Sequence, residues 1–146
     1  MLPTDNMGGF ISAGFILQDE ISLFFSWDNS CKIRLLPNKK WKTLGAKREG
    51  TSITITPEES DAGLLYTIKG SIILKKDSEH LDILRIKPSI VIRYQTPDKV
   101  YRVIGTDEYP LKSTLKLLTP AKASGFSGYE LSFEGKQLIE PPILNN

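Results

Sequence analysis

The chain has 146 residues, 40% of them hydrophobic, with 19 basic and 17 acidic side chains for a net charge of +2. That balance suits one domain, which at this length buries roughly two-thirds of its unfolded surface without metals or disulfides. The charge is too small to imply nucleic acid or a membrane surface by itself. Cys31 and His80 are the single cysteine and histidine, which excludes a disulfide framework and a cysteine-based zinc site and leaves few ways to assemble acid–base machinery.

Residues 1–9, with Pro3, Asp5, Asn6, Gly8 and Gly9, read as a flexible arm. A first strand is expected over Phe10–Leu17, although Gly14 and the pair Phe15 and Ile16 spoil its alternation; a second runs Ile21–Trp27. Asp28, Asn29 and Ser30 are turn residues, and alternation resumes through Cys31, Ile33 and Leu35 until Pro37 and Asn38 break it. Asn38–Gly50 has no usable period and reads as a loop that packs Trp41 and Leu44 and leaves its lysines in water.

The clearest pattern follows. In TSITIT and LLYTIKGSIILK the residues Ile53, Ile55, Leu64, Tyr66, Ile68, Ile72 and Leu74 recur with period two, around the polar break PEESDAG. This is a long antiparallel hairpin with an acidic tip at Glu58, Glu59 and Asp61, and Ile53, Ile55, Tyr66, Ile68 and Ile72 should face the core. Ser78–Ile86 reads as a short helix capped by Asp77 or Ser78 and stopped by Pro88. Ile90–Tyr94 and Val100–Ile104 form a second hairpin, Leu111–Leu118 a further strand, and Tyr129, Leu131 and Phe133 line one face of a last strand ending at Gly135. Pro141 and Pro142 point to an extended tail over 136–146 that, like the N-terminal arm, should contact other chains rather than its own. No linker divides the chain, so residues 1–146 are one domain. About seven or eight strands and one helix give an all-β or β-dominated α+β fold, an antiparallel sandwich or partly closed barrel.

His80 beside Asp77, Glu79 and Asp82 reads as a solvated surface histidine, because a catalytic base needs a pocket and an orienting partner. The carboxylates Glu58, Glu59 and Asp61, and the pair Asp107 and Glu108, lack the aromatic sugar groove that paired-carboxylate chemistry requires. No phosphate-cradling glycine motif is present. Tyr101, Tyr109, Phe126 and Tyr129 read as packing residues before they read as a ligand box. No catalytic, cofactor or metal residue is therefore assigned.

Charge is unevenly spread. Met1–Ser30 has four acids and no base, whereas Cys31–Arg48 has seven bases and no acid. Lys39, Lys40, Lys42, Lys47 and Arg48 surround Trp41, with Lys32 and Arg34 before them. The bland reading is a solvated loop. The sharper ones are contact with an acidic patch on another subunit, or stacking and charge pairing with single-stranded nucleic acid. The acidic hairpin tip supplies a complement within the same chain.

Taken together, IRLLPNKKWKTL, the hairpin TSITITPEESDAGLLYTIKGSI, the helix before IVIRYQTPDKVYRVIGTDEYPLK and the final GYELSFEG resemble small phage and prophage tail-associated structural proteins, over Ile33–Gly135. The resemblance implies a β-sandwich plus helix of the tail-tube or tail-completion kind, whose rings are joined by a long hairpin reaching the neighbouring subunit. It carries over no single functional residue. The expectation is a non-enzymatic structural subunit that self-associates, without cofactor or membrane, cytoplasmic before assembly and then part of a virion-type particle. The candidate interface is Glu58, Glu59, Asp61, Lys39, Lys40, Trp41, Lys42, Lys47 and Arg48. The alternatives are a β-barrel module binding single-stranded nucleic acid through 32–48, or a barrel binding a small ligand.

Overall fold

The computed structural model describes residues 12–44, 46–61, 63–75, 80–118 and 128–145, with 46–50 and 75 described by backbone alone. The N-terminal arm, the residues expected to cap the helix, Phe126 and the side chains of Lys47 and Arg48 lie outside the described residues.

Strand β7 (Ser89–Gln95) organises the fold. One of its edges pairs with β1 (Ala13–Leu17) along Ile90–Tyr94; the other pairs with β8 (Tyr101–Ile104) and, at Ser89 and Ile90, with β9 (Leu111–Leu118). From β8 the sheet continues to β11 (Ile143–Leu144), β3 (Ser30–Leu35) and β2 (Ile21–Trp27). From β9 it continues to β10 (Gly128–Gln137), β6 (Gly63–Lys75) and β5 (Ala46–Ser60), while β4 (Lys42–Leu44) flanks β1. All pairings are antiparallel except that of β11 with β3. The described residues thus form one open, mixed sheet of eleven strands and one short helix, α1 (Leu81–Ile86).

Only two residue pairs join β7 to β9, and at that joint the sheet folds back on itself. Phe15, Leu17, Ile90, Ile92, Tyr94 and Ile104 from one layer then share a core with Ile53, Ile68, Ile72, Leu74, Leu111, Leu131 and Phe133 from the other, closed by Leu84 of α1. This is the expected β-sandwich. A second, smaller core lies on the opposite face of the first layer, where Ile16, Val91 and Val103 meet Cys31 and Ile33, with Phe24 and Trp41 packed against them. The two cores explain the poor alternation of the first strand: β1 is buried on both faces, so both faces are apolar.

Gly105, at φ 87°, turns the chain between β8 and β9, and its N–H donates to Oε1 of the buried Gln137 at 2.8 Å. Gly70 serves packing instead: a Cβ there would lie 2.6 Å from the Ser52 carbonyl oxygen and 2.7 Å from the Phe133 ring. Phe133 covers the space left by the glycine paired with it.

Three expectations are corrected. Segment 38–50 is not a loop throughout, because it holds β4 and the start of β5, and β4 is drawn onto β1 by Lys42. The break PEESDAG does not end the first hairpin strand: Pro57–Ser60 stay paired with Gly63–Tyr66, and among the described residues of the break only Asp61 is a turn residue. The C-terminal segment is extended as expected, but it is sewn into the sheet and contacts its own chain. Pro142 O accepts from Val103 N–H, Pro141 O from Arg102, and the Ile143 and Asn145 amides donate to Asn29 O and Cys31 O.

Candidate functional site: an uncovered sheet face

The core-facing side of the first layer can be followed strand by strand from the register. Ile104 and Arg102 share it on β8, Arg102 pairs with Ile143, and Ile143 with Ser30. Ser30, Lys32 and Arg34 of β3 therefore lie on that face, opposite Trp27, Phe25 and Leu23 of β2. Over β1, β7 and β8 this face is covered by the second layer. Over β2 and β3 it is not covered by the described residues of the second layer: Leu23 is 50%, Phe25 56% and Trp27 37% exposed. The Phe25 and Trp27 rings lean together, centroids 5.4 Å apart, and Lys32 and Arg34 border a shallow depression with Leu23, Phe25 and Ile33.

β2 is also an edge strand, paired among the described residues with β3 alone. Its sequence ISLFFSW has neither charge nor proline, and only the irregularity between Ile21 and Leu23 interrupts it. Edges of folded chains are normally protected by charge, proline or short length. The β5 edge has such protection in Pro57, Glu58 and Glu59, and β4 is short.

The expected acidic tip stands clear of the core. The last β6 residue paired with β10 is Tyr66, opposite Gln137, and beyond it only Glu58–Ser60 and Gly63–Leu65 continue the ribbon. At about 3.3 Å per residue that ribbon projects roughly 10 Å. Glu58, Glu59 and Asp61 are all exposed, and Ser60 Oγ donates to Gly63 O at 2.8 Å across the turn. Leu64, opposite Glu59, is 48% exposed.

The basic segment is dispersed. Lys40 is exposed. Lys42 is mostly buried: its Nζ donates to Glu20 Oε1 at 2.6 Å and lies 5.7 Å from the Phe15 ring centre. Lys39 approaches the same carboxylate at 3.8 Å. Glu20, 5% exposed, also accepts the Leu17 N–H at 3.0 Å. Burial pushes its carboxyl up, but the Lys42 hydrogen bond, the Leu17 amide and the charges of Lys42 and Lys39 outweigh burial and hold it below its ordinary value. Trp41 is partly buried against the second core, with the Arg93 guanidinium 4.9 Å from its ring centre and 4.7 Å from that of Tyr101. Trp41 is thus packed as the leading reading expected, which leaves no open stacking platform there for the nucleic-acid alternative, whereas Lys42 is engaged within the chain and not left in water.

His80 is half-buried rather than solvated, edge-on to Phe15 with centroids 6.1 Å apart. Among the described residues no group of three or more His, Cys, Asp or Glu is placed to hold a metal ion, and no helix is long and apolar enough to cross a membrane.

No protein-family model, curated protein or solved structure matches this chain.

The residues that form the uncovered face were missed by sequence reasoning, although a signal was present. Leu23, Phe25 and Trp27 alternate on one side of β2 while Phe24 lies on the other, so the strand is apolar on both sides. A strand of that kind is either covered twice within its chain or completed by another one. The two cations on the side of Leu23, Phe25 and Trp27, Lys32 opposite Phe25 and Arg34 opposite Leu23, decide against full burial within the chain.

Proposed function

We propose that the protein is a non-enzymatic assembly subunit, a β-sandwich that acts by docking to other chains, within a particle of the phage- or prophage-tail type that the sequence resemblance implies. The observation that carries this reading is the uncovered half of a core-facing sheet surface beside an unprotected edge strand. Leu23, Phe25 and Trp27 continue the surface that β7 and β8 bury, and β2 offers unpaired backbone groups to a partner. A chain presenting both in isolation invites uncontrolled association, whereas one seated in a particle has both satisfied. The test is molecular mass in solution across a wide concentration range. Mass rising with concentration supports the reading, and a single-copy mass at every concentration counts against it.

A second reading has an observation of its own. Phe25 and Trp27 beside Lys32 and Arg34 form an exposed aromatic and cationic surface, which suits stacking of unpaired bases. It moves the nucleic-acid alternative from Trp41 to the β2–β3 hairpin. It ranks second because, among the described residues, the bare part of the face sets two cations against three exposed apolar side chains, Leu23, Phe25 and Trp27. Binding of single-stranded oligonucleotides that weakens steeply with salt would favour it. The small-ligand barrel gains no support, since the sheet does not close and Phe15, Ile68, Leu131 and Phe133 fill the space between its layers.

A further inference from the structure

We infer that the uncovered β2–β3 face receives the tip of the β5–β6 ribbon, residues 57–61 and 63–64, from a second copy of this chain. The inference rests on the assembly reading above and names the partner of its docking face.

The geometry is that of two overhangs. In the first layer β2 and β3 extend past the core with their core-facing side bare. In the second layer the tip does the same, because Pro57 and Glu59 continue the face of Ile53 and Ile55, and Leu64 and Tyr66 continue that of Ile68. Each overhang therefore presents the side that elsewhere in its layer packs against the opposite one. Setting one on the other between two copies repeats the sheet-on-sheet packing of the core. Within one chain they do not cover each other, since Phe25, Leu23, Glu59 and Leu64 are all exposed.

Side chains on the two surfaces are complementary. On this face of β2 and β3 two of the three exposed apolar residues are paired with a cation, Phe25 with Lys32 and Leu23 with Arg34, while Trp27 is paired with Ser30. On the tip the exposed apolar residue is paired with an acid, Leu64 with Glu59, while Glu58 and Asp61 are exposed close by. Leu64 seated beside Phe25 and Leu23 brings Glu59 towards Lys32 and Arg34. The outer face of the second layer differs among the described residues, where charge is matched. There Lys112 is opposite Glu134, Glu134 opposite Lys69, and Lys116 opposite Glu130, a ladder of alternating charge suited to water. Because tip and face are different patches, the contact is head to tail and builds a ring if its rotation closes, a filament if it does not.

A charge swap tests this. The full-length protein, the tip variant Glu58→Lys/Glu59→Lys and the face variant Lys32→Glu/Arg34→Glu are compared by sedimentation at low salt. All four positions are exposed, and thermal melting checks that each variant folds. Each variant alone should associate about tenfold more weakly than the parent, whose own association weakens with salt. An equimolar mixture of the two variants should regain the parent's association, because every tip then finds a face of opposite charge. If the parent associates but the tip variant does so equally well, or the mixture stays as weak as its components, the tip is not the occupant while the assembly reading stands. A parent that remains single-copy at all concentrations overturns both, and if it also binds single-stranded oligonucleotide through Lys32 and Arg34, the face is a nucleic-acid surface.

Discussion

Replacing Glu20 by alanine should loosen the attachment of β1 and β4 to one another more than any surface change in the same region. The carboxylate is 5% exposed, accepts the Leu17 amide at 3.0 Å and holds Lys42 at 2.6 Å. Its removal leaves a mostly buried ammonium and a backbone donor without their partner, each a deficit of about 1–3 kcal/mol, so a total near 3 kcal/mol is expected. For a domain of this size that lowers the melting temperature by roughly 10 °C. A double-mutant cycle with Lys42→Met isolates the pair. The double variant should recover about 2 kcal/mol relative to the sum of the single changes, because it leaves no unpaired charge. The pH dependence has a definite sign. A carboxyl held below its ordinary value stabilises fully above about pH 4.3, and that contribution is lost as the pH falls through the folded-state value. The stability gap between the parent and Glu20→Gln should therefore narrow in acid. Additive single changes, or a gap that widens as the pH falls from 5 to 3, would refute this account of how β4 is held.

Gly70→Ala should cost about 2 kcal/mol in chemical denaturation, because the new methyl lies 2.6 Å from the Ser52 carbonyl oxygen and 2.7 Å from the Phe133 ring; an unchanged midpoint contradicts that packing. Cys31 should resist thiol reagents in the native protein and react on unfolding, since burial pushes its thiol up to about 12. The same burial implies that stability falls as the pH rises from the ordinary cysteine range of about 8.5 towards 12, readable as alkaline unfolding. Ile68→Asp should unfold the domain, whereas Phe25→Ser should change stability by less than about 0.5 kcal/mol, as Ile68 is wholly buried and Phe25 is more than half exposed.

Local period and turn chemistry made most of the sheet legible. Ile53, Ile68 and Ile72 alternate cleanly because their strands have one buried face, and the register pairs Ile55 with Ile68 as that alternation requires. The same logic fails where a strand is buried twice, as in β1, or where a short strand is held by a distant side chain, as β4 is by Glu20. Pro57 read as a break because a proline cannot donate to a ladder, yet β5 is an edge strand and its outer side needs no donor. The tail misled for a related reason: Pro141 and Pro142 are buried and contribute carbonyls, which proline retains. At the candidate site, the acidic tip was legible from composition alone. The basic stretch was not separable into its structural and exposed members, because nothing local marks Lys42 as the partner of Glu20, twenty-two positions earlier. The uncovered face was written in β2, but it becomes visible only once the second layer is seen to stop short of it.

Hydrogen–deuterium exchange of the full-length protein at low and high concentration reads the docking face directly. With an interface made by the bare β2–β3 face and the ribbon tip, amides of Ile21–Trp27 and of Glu58–Leu65 should become slower to exchange as concentration rises, while those of β7 and β8, already buried, stay unchanged. Exchange in β2 that is equally fast at every concentration, under conditions where the mass increases, would place the contact elsewhere and contradict the proposed role of this face.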